Sequence, residues 1–129
     1  MRAVIIALML TVASPAVGAE IKVGDVYFCN MVQLLEIKED DQWEIGKYKL
    51  ENFKFQVTQN EIVFPRSGHF GNMILQKTFH EYELLEARSK IEARAASLAL
   101  DSRKSPVQFV YSSLIWGKGR MIAANCDKF

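Results

Sequence analysis

The chain has two cysteines, and they lie near opposite ends: Cys29 in Val26-Tyr27-Phe28-Cys29-Asn30, and Cys126 three places before Phe129. A bond between them needs Cα atoms about 5–6 Å apart, so the first and last strands of the fold would be neighbours. The N-terminus bears on whether they pair. Met1-Arg2 supplies a positive charge, Ala3 to Val12 is an uncharged apolar run, Ser14-Pro15 breaks it, and Val17-Gly18-Ala19 offers small residues for cleavage. This is the pattern of a secretory signal peptide. The apolar run is about half the ~20 residues needed to span a bilayer, so a membrane anchor is the weaker reading. Cleavage is expected after Ala19, with Ala16 as a second choice, and no cysteine adjoins it to take a lipid. Residues 1–19 are then a signal peptide and 20–129 a single domain in the periplasm or outside the cell.

Export gives the cysteines their meaning. In an oxidising compartment two cysteines of a small domain pair, and closing so long a loop is worth about 4–5 kcal/mol by the chain-entropy argument. A redox role would call for a depressed thiol pKa or a Cys-x-x-Cys neighbour, and neither cysteine has such a neighbour. The pair Cys29–Cys126 is read as structural.

Charge excludes little but points away from nucleic acid. Removing Arg2 from the 16 basic residues leaves 15 against 15 acidic ones. A neutral mature chain gives no electrostatic reason to expect nucleic acid or an anionic membrane as the main partner.

Val23 to Ile37 is rich in β-formers with apolar residues on both parities, which predicts a central strand buried on both faces. Phe53, Phe55 and Val57 alternate with Lys54, Gln56 and Thr58, a strand with one wet face. A turn at Gln59-Asn60 would set Val57 opposite Ile62 and Phe55 opposite Phe64. Gly71-Asn72 predicts a second turn, which would place His69 opposite Ile74 and His80 opposite Val63. Val107, Phe109 and Tyr111 alternate, and Leu114 to Trp116 lead through Gly117-Lys118-Gly119 into a final hairpin ending on Cys126. One stretch disagrees: Glu81 to Leu100 holds the best helix signal, with Leu84, Ala87, Ile91, Ala95 and Leu98 on one face and a Glu86–Lys90 pair. The alternation of Ala96, Leu98 and Leu100 predicts instead a strand from Ala95, with Leu100 opposite Val107 and Leu98 opposite Phe109. The expectation is therefore mainly antiparallel β, a small closed barrel or two-layer sandwich, with one short helix around residues 81–93.

No motif proposes chemistry. His80-Glu81 begins like a zinc-protease helix, but position 84 is Leu where the second histidine belongs. Glu39-Asp40-Asp41 lacks the spacing and the turn glycine of a calcium loop. Gly117-Lys118-Gly119 has neither Walker spacing nor a following Ser or Thr, and there is no Gly-x-Ser-x-Gly elbow. No catalytic residue, cofactor or metal ligand is assigned.

Two resemblances can be stated. The Tyr27-Phe28-Cys29 strand and the closing Ile122 to Phe129 segment are similar to small exported bacterial proteins of unassigned function, which implies export and one disulfide. Ser67-Gly68-His69-Phe70 and Trp116-Gly117-Lys118-Gly119 resemble the Ser-Gly-x-x-Tyr and Trp-x-Lys-Gly stretches of periplasmic C-type lysozyme inhibitors, themselves small β-barrels with a terminal disulfide. Phe70 stands where that family has tyrosine, and the stretches are far apart here. That resemblance implies Ser67, His69, Trp116 and Lys118 as binding contacts. The leading expectation is an exported β-domain, not an enzyme, that binds an unknown protein or small molecule. A lysozyme-inhibitor-like protein is the alternative, and a hydrolase whose residues converge only in the fold is the third.

Overall fold

In the computed structural model the described residues are 19–37, 43–45, 49–90, 95–115 and 118–129, of which 43–45 and 115 are described by their backbone. The signal peptide assigned to residues 1–19 therefore lies outside them, except for Ala19, as do the acidic turn at 39–41 and Trp116-Gly117.

Cys29 and Cys126 are bonded, with Cα atoms 4.0 Å apart, and they face each other directly across two antiparallel strands. The strands are β1 (Val26–Ile37) and β9 (Lys118–Lys128), the first and last of nine among the described residues. Between them run β2 (Trp43–Ile45), β3 (Asn52–Val57), β4 (Glu61–Val63), β5 (Ile74–Glu81), β6 (Leu84–Arg88), β7 (Ala95–Asp101) and β8 (Val107–Ile115). From β3 onward each strand pairs antiparallel with the next, and β1 pairs with both β3 and β9. Eight strands thus close into an antiparallel barrel, with β2 laid on the far end of β1. Closure is the physical reason for the terminal pairing, because a closed sheet has no unpaired edge.

The inward face follows period two. Phe53, Phe55 and Val57 on β3, Leu98 and Leu100 on β7, Phe109 and Tyr111 on β8, and Ile122, Ala124 and Cys126 on β9 are all buried. The Gln59-Asn60 turn holds as read, with Val57 opposite Ile62. Aromatic rings fill the centre: Phe55 lies 5.7 Å from both Phe64 and Phe109, and Tyr27 stacks on Phe55 at 5.4 Å.

Four sequence expectations are corrected. The helix around 81–93 is absent: β6 occupies Leu84–Arg88 and turns Leu85 and Ala87 inward, while residues 91–94 lie outside the description. Pairing with β5 on one side and β7 on the other satisfies its backbone, and this outweighs a propensity difference of under about 1 kcal/mol per residue. The first strand is buried on one face only. Its apolar residues fall on both parities because the register slips between Met31 and Gln33, so Tyr27, Cys29 and Met31 point inward before the slip and Leu34 and Glu36 after it. The Gly71-Asn72 turn is part of a wider loop, so Val63 rather than His69 sits opposite Ile74, and His80 sits opposite Leu85. Finally, Leu100 pairs with Phe109 and Leu98 with Tyr111, two residues from the expected register. A two-residue slip keeps every side chain on its face, so the core is as expected although the pairing is not.

One end of the barrel is plugged from its own N-terminal side. Ile21 is 1% exposed, and its N–H donates to the Tyr82 carbonyl at 2.8 Å. His80 Nε2 donates to the Ile21 carbonyl at 2.7 Å, and the Ser102 hydroxyl donates to the Ala19 carbonyl. The other end, where β9 begins, is built differently.

Candidate functional site

At that second end the inward-facing layers change character within one step. Leu34 and Tyr111 flank Ile122 as its cross-strand partners, and the three form an apolar layer. The next inward layer up is polar: Arg120, with Glu36 and Ser113 as its cross-strand partners. On β9 strand alternation produces this arrangement, because Lys118 and Arg120 stand on the same parity as Ile122, Ala124 and Cys126, and on β1 the register slip after Met31 turns Glu36 inward.

The loop from Phe64 to Met73 supplies the rest. It is closed by Phe64 N–H to the Met73 carbonyl at 3.0 Å and Asn72 N–H to the Pro65 carbonyl at 2.9 Å. Gly68 has φ +114°, a conformation only glycine adopts without strain. The loop inserts Phe70 into the barrel, where its ring lies 4.3 Å from Phe64 and 4.9 Å from both Phe53 and Tyr111. Seating Phe70 carries the adjacent His69 to Arg120.

A cleft of about 390 Å³ results, lined by Glu36, His69, Phe70, Met73, Tyr111, Ser113, Lys118 and Arg120. Arg120 is gripped on two sides. Its Nη1 donates to His69 Nε2 at 3.0 Å, and its Nη2 lies 3.7 Å from Glu36 Oε2. Guanidinium can only donate, so Nε2 must accept and the ring proton sits on Nδ1, which faces Glu51 Oε2 at 3.6 Å. His69 is thus neutral between a cation and a carboxylate. Its pKa is held below the ordinary histidine value, first by burial, then by the Arg120 charge, and against the opposing pull of Glu51 and Glu36. Glu36 is 6% exposed, and Arg120 is its ionic partner.

The four contacts implied by the inhibitor resemblance are placed unequally. His69 and Lys118 line the same cleft. Ser67 is exposed on the loop and faces a separate shallow depression beside Phe53 and Pro65. Trp116 lies outside the described residues. Glu36, Arg120, Tyr111 and Ser113 were not anticipated. The two histidines stand at opposite ends, and no group of three His, Cys, Asp or Glu able to hold a metal exists among the described residues. No helix among them is long and apolar enough to cross a membrane.

Compared with protein-family models, curated proteins and solved structures, the chain matches none. Its function has to be argued from the cleft.

Proposed function

We propose that this is an exported, non-catalytic binding domain that takes a ligand at the mouth of its barrel. One observation carries the reading: a polar layer of Glu36, Arg120 and Ser113 rests directly on an apolar floor, at the end opposite the Ile21 plug. Concave sites of a few hundred Å³, mostly apolar with a few convergent polar groups, are the usual form of ligand sites, and barrel mouths are a common place for them. Catalysis is not favoured because the polar groups neutralise one another: His69 accepts from a guanidinium and is turned away from proton abstraction, and Glu36 is ion-paired. The disulfide supports an oxidising destination, and mass spectrometry of the exported protein should find a mature N-terminus at Glu20. Binding at the mouth is tested by an NMR fragment screen against the mature chain and a Ser113→Trp variant, whose indole would fill the cleft. Hits that the variant abolishes support the reading. No hits, or hits indifferent to Ser113→Trp, would refute it.

A second reading has a specific observation in its favour. His69 and Lys118, distant in sequence, share one cleft, and the Ser67 loop borders it. An inhibitor of a cell-wall-cleaving lysozyme would present such a surface. Absence of lysozyme inhibition at micromolar protein would remove this alternative.

A further inference from the structure

Resting on the barrel-mouth reading, the cleft also specifies the chemistry of what it holds. Its charges can be followed residue by residue. Glu36 is matched by Arg120. His69 is uncharged in its present hydrogen bond. Lys118 is exposed at the rim and has no ionic partner among the described residues. Among the described lining residues Lys118 is therefore the one charge without a partner; Glu51 lies beyond His69, 3.6 Å from its Nδ1.

Donors outnumber acceptors in the same way. Of the five N–H groups of the Arg120 guanidinium, one is committed to His69 and one faces Glu36, while the side chain remains 37% exposed. His69 and Glu36 fix the plane of that fork before any ligand arrives, so little further rotamer entropy is lost on binding. Below the fork lie Phe70, Tyr111 and Met73, two aromatic faces and one thioether that adapts to irregular apolar shapes.

We propose that the ligand is a small monocarboxylic acid with an apolar body, its carboxylate held by Arg120 and Lys118 and its body against Phe70, Met73 and Tyr111. A single negative charge would pair with Lys118 and accept from the remaining Arg120 N–H groups. A phosphate dianion would exceed that single charge and face Glu36, and a cation would meet Lys118 and Arg120 together. The cleft volume of about 390 Å³ suits a small molecule rather than a folded segment of a protein.

The test uses matched probes on the disulfide-bonded mature chain: hexanoate and phenylacetate, with hexanol and phenylethanol as neutral partners and phenyl phosphate as the doubly charged one. Affinities are read by calorimetry and binding sites by NMR shift perturbation. The acids should bind at least about tenfold tighter than the alcohols, since a hydrogen bond between two charged groups is roughly twice as strong as a neutral one. Lys118→Gln and Arg120→Gln should each erase most of that difference, and Arg120→Lys should not restore it. Because Arg120→Gln leaves Glu36 buried without its partner and threatens folding, Lys118→Gln at the rim is the decisive variant. Equal affinity for acid and alcohol, both lost in Ser113→Trp, would overturn the carboxylate inference and leave the barrel-mouth reading standing. Tighter binding of phenyl phosphate, or no binding of any acid at millimolar concentration, would also overturn it.

Discussion

Replacing Phe70 with alanine tests whether the loop that shapes the cleft is held by the core or merely drapes over it. A phenylalanine contributes about 150–250 Å² of buried surface, and at about 25 cal/mol per Å² full burial is worth roughly 4–6 kcal/mol as an upper limit. Phe70 is 7% exposed although it belongs to a loop, and it contacts Phe53, Phe64 and Tyr111 through ring pairs that each add about 0.5–1.5 kcal/mol beyond area. Alanine keeps the β-carbon, and a loop can collapse into part of the space, so Phe70→Ala should cost about 3–5 kcal/mol. In a domain of this size that lowers the thermal midpoint by on the order of 15 °C. Urea denaturation followed by circular dichroism gives the free energy directly. Phe28→Ala is the control: Phe28 is 43% exposed on the outer face, so its loss should cost about 1 kcal/mol or less. A second readout separates anchoring from general stability. With Phe70 gone, the His69 ring signals should lose their dependence on Arg120, because the loop no longer delivers one to the other. A cost for Phe70→Ala below about 1 kcal/mol, or one equal to Phe28→Ala, would refute the idea that the loop is anchored by its aromatic ring.

Three further expectations can be checked independently. Native protein should contain no reactive thiol, and Cys126→Ser should lower stability by about 4–5 kcal/mol, acting mostly through the unfolded chain; thiol titration and denaturation of the variant decide it. The Tyr27 hydroxyl is buried without a hydrogen-bond partner among the described residues, and burial, with a smaller push from the Asp25 charge, raises its pKa to about 12. Since an unsatisfied buried hydroxyl costs about 1–3 kcal/mol, Tyr27→Phe should stabilise the fold by about 1 kcal/mol, and a clear loss of stability would show that the hydroxyl has a partner. His69, with its pKa depressed, binds its proton more readily in the unfolded chain. Its contribution is fully present above about pH 6.5 and is lost as pH falls through the lower folded value, so His69→Gln should flatten the acid side of a stability-versus-pH curve between those limits.

The parts of the fold legible in the sequence are those set by period two and by covalent chemistry. Cys29 and Cys126 fixed the seam, and Phe55 to Phe64 fixed one hairpin, because turn residues and alternation agreed there. Where local signals disagreed with closure, closure won: Leu84–Arg88 became a strand because both neighbours needed its backbone. The candidate site was half legible. Lys118 and Arg120 lie an even number of residues from Cys126, so an inward Cys126 implies that they also point inward, and this could have been read without a structure. Glu36 could not. Its inward direction depends on the slip beyond Met31, and a bulge leaves no mark in the alternation except an apparent strand with two apolar faces. The contact of His69 with Arg120 depends on a loop conformation, which strand periodicity does not encode.

The order in which the strands pair has a consequence for how the molecule is made. Apart from one seam, each pairing of the barrel joins strands close along the chain, and such contacts form fast because little loop entropy is lost. The seam between β1 and β9 is the exception, and it is also the most extensive pairing, running from Tyr27 opposite Lys128 to Ile37 opposite Gly119. A chain delivered from its N-terminus would hold β1 with one flank bare until β9 emerges. During that interval the growing sheet exposes two strand edges and an unsealed apolar interior, the surfaces through which partly made β-proteins aggregate. The same late strand carries Lys118 and Arg120. Sealing the sheet and assembling the ligand cleft are therefore one event, and an unfinished chain has neither.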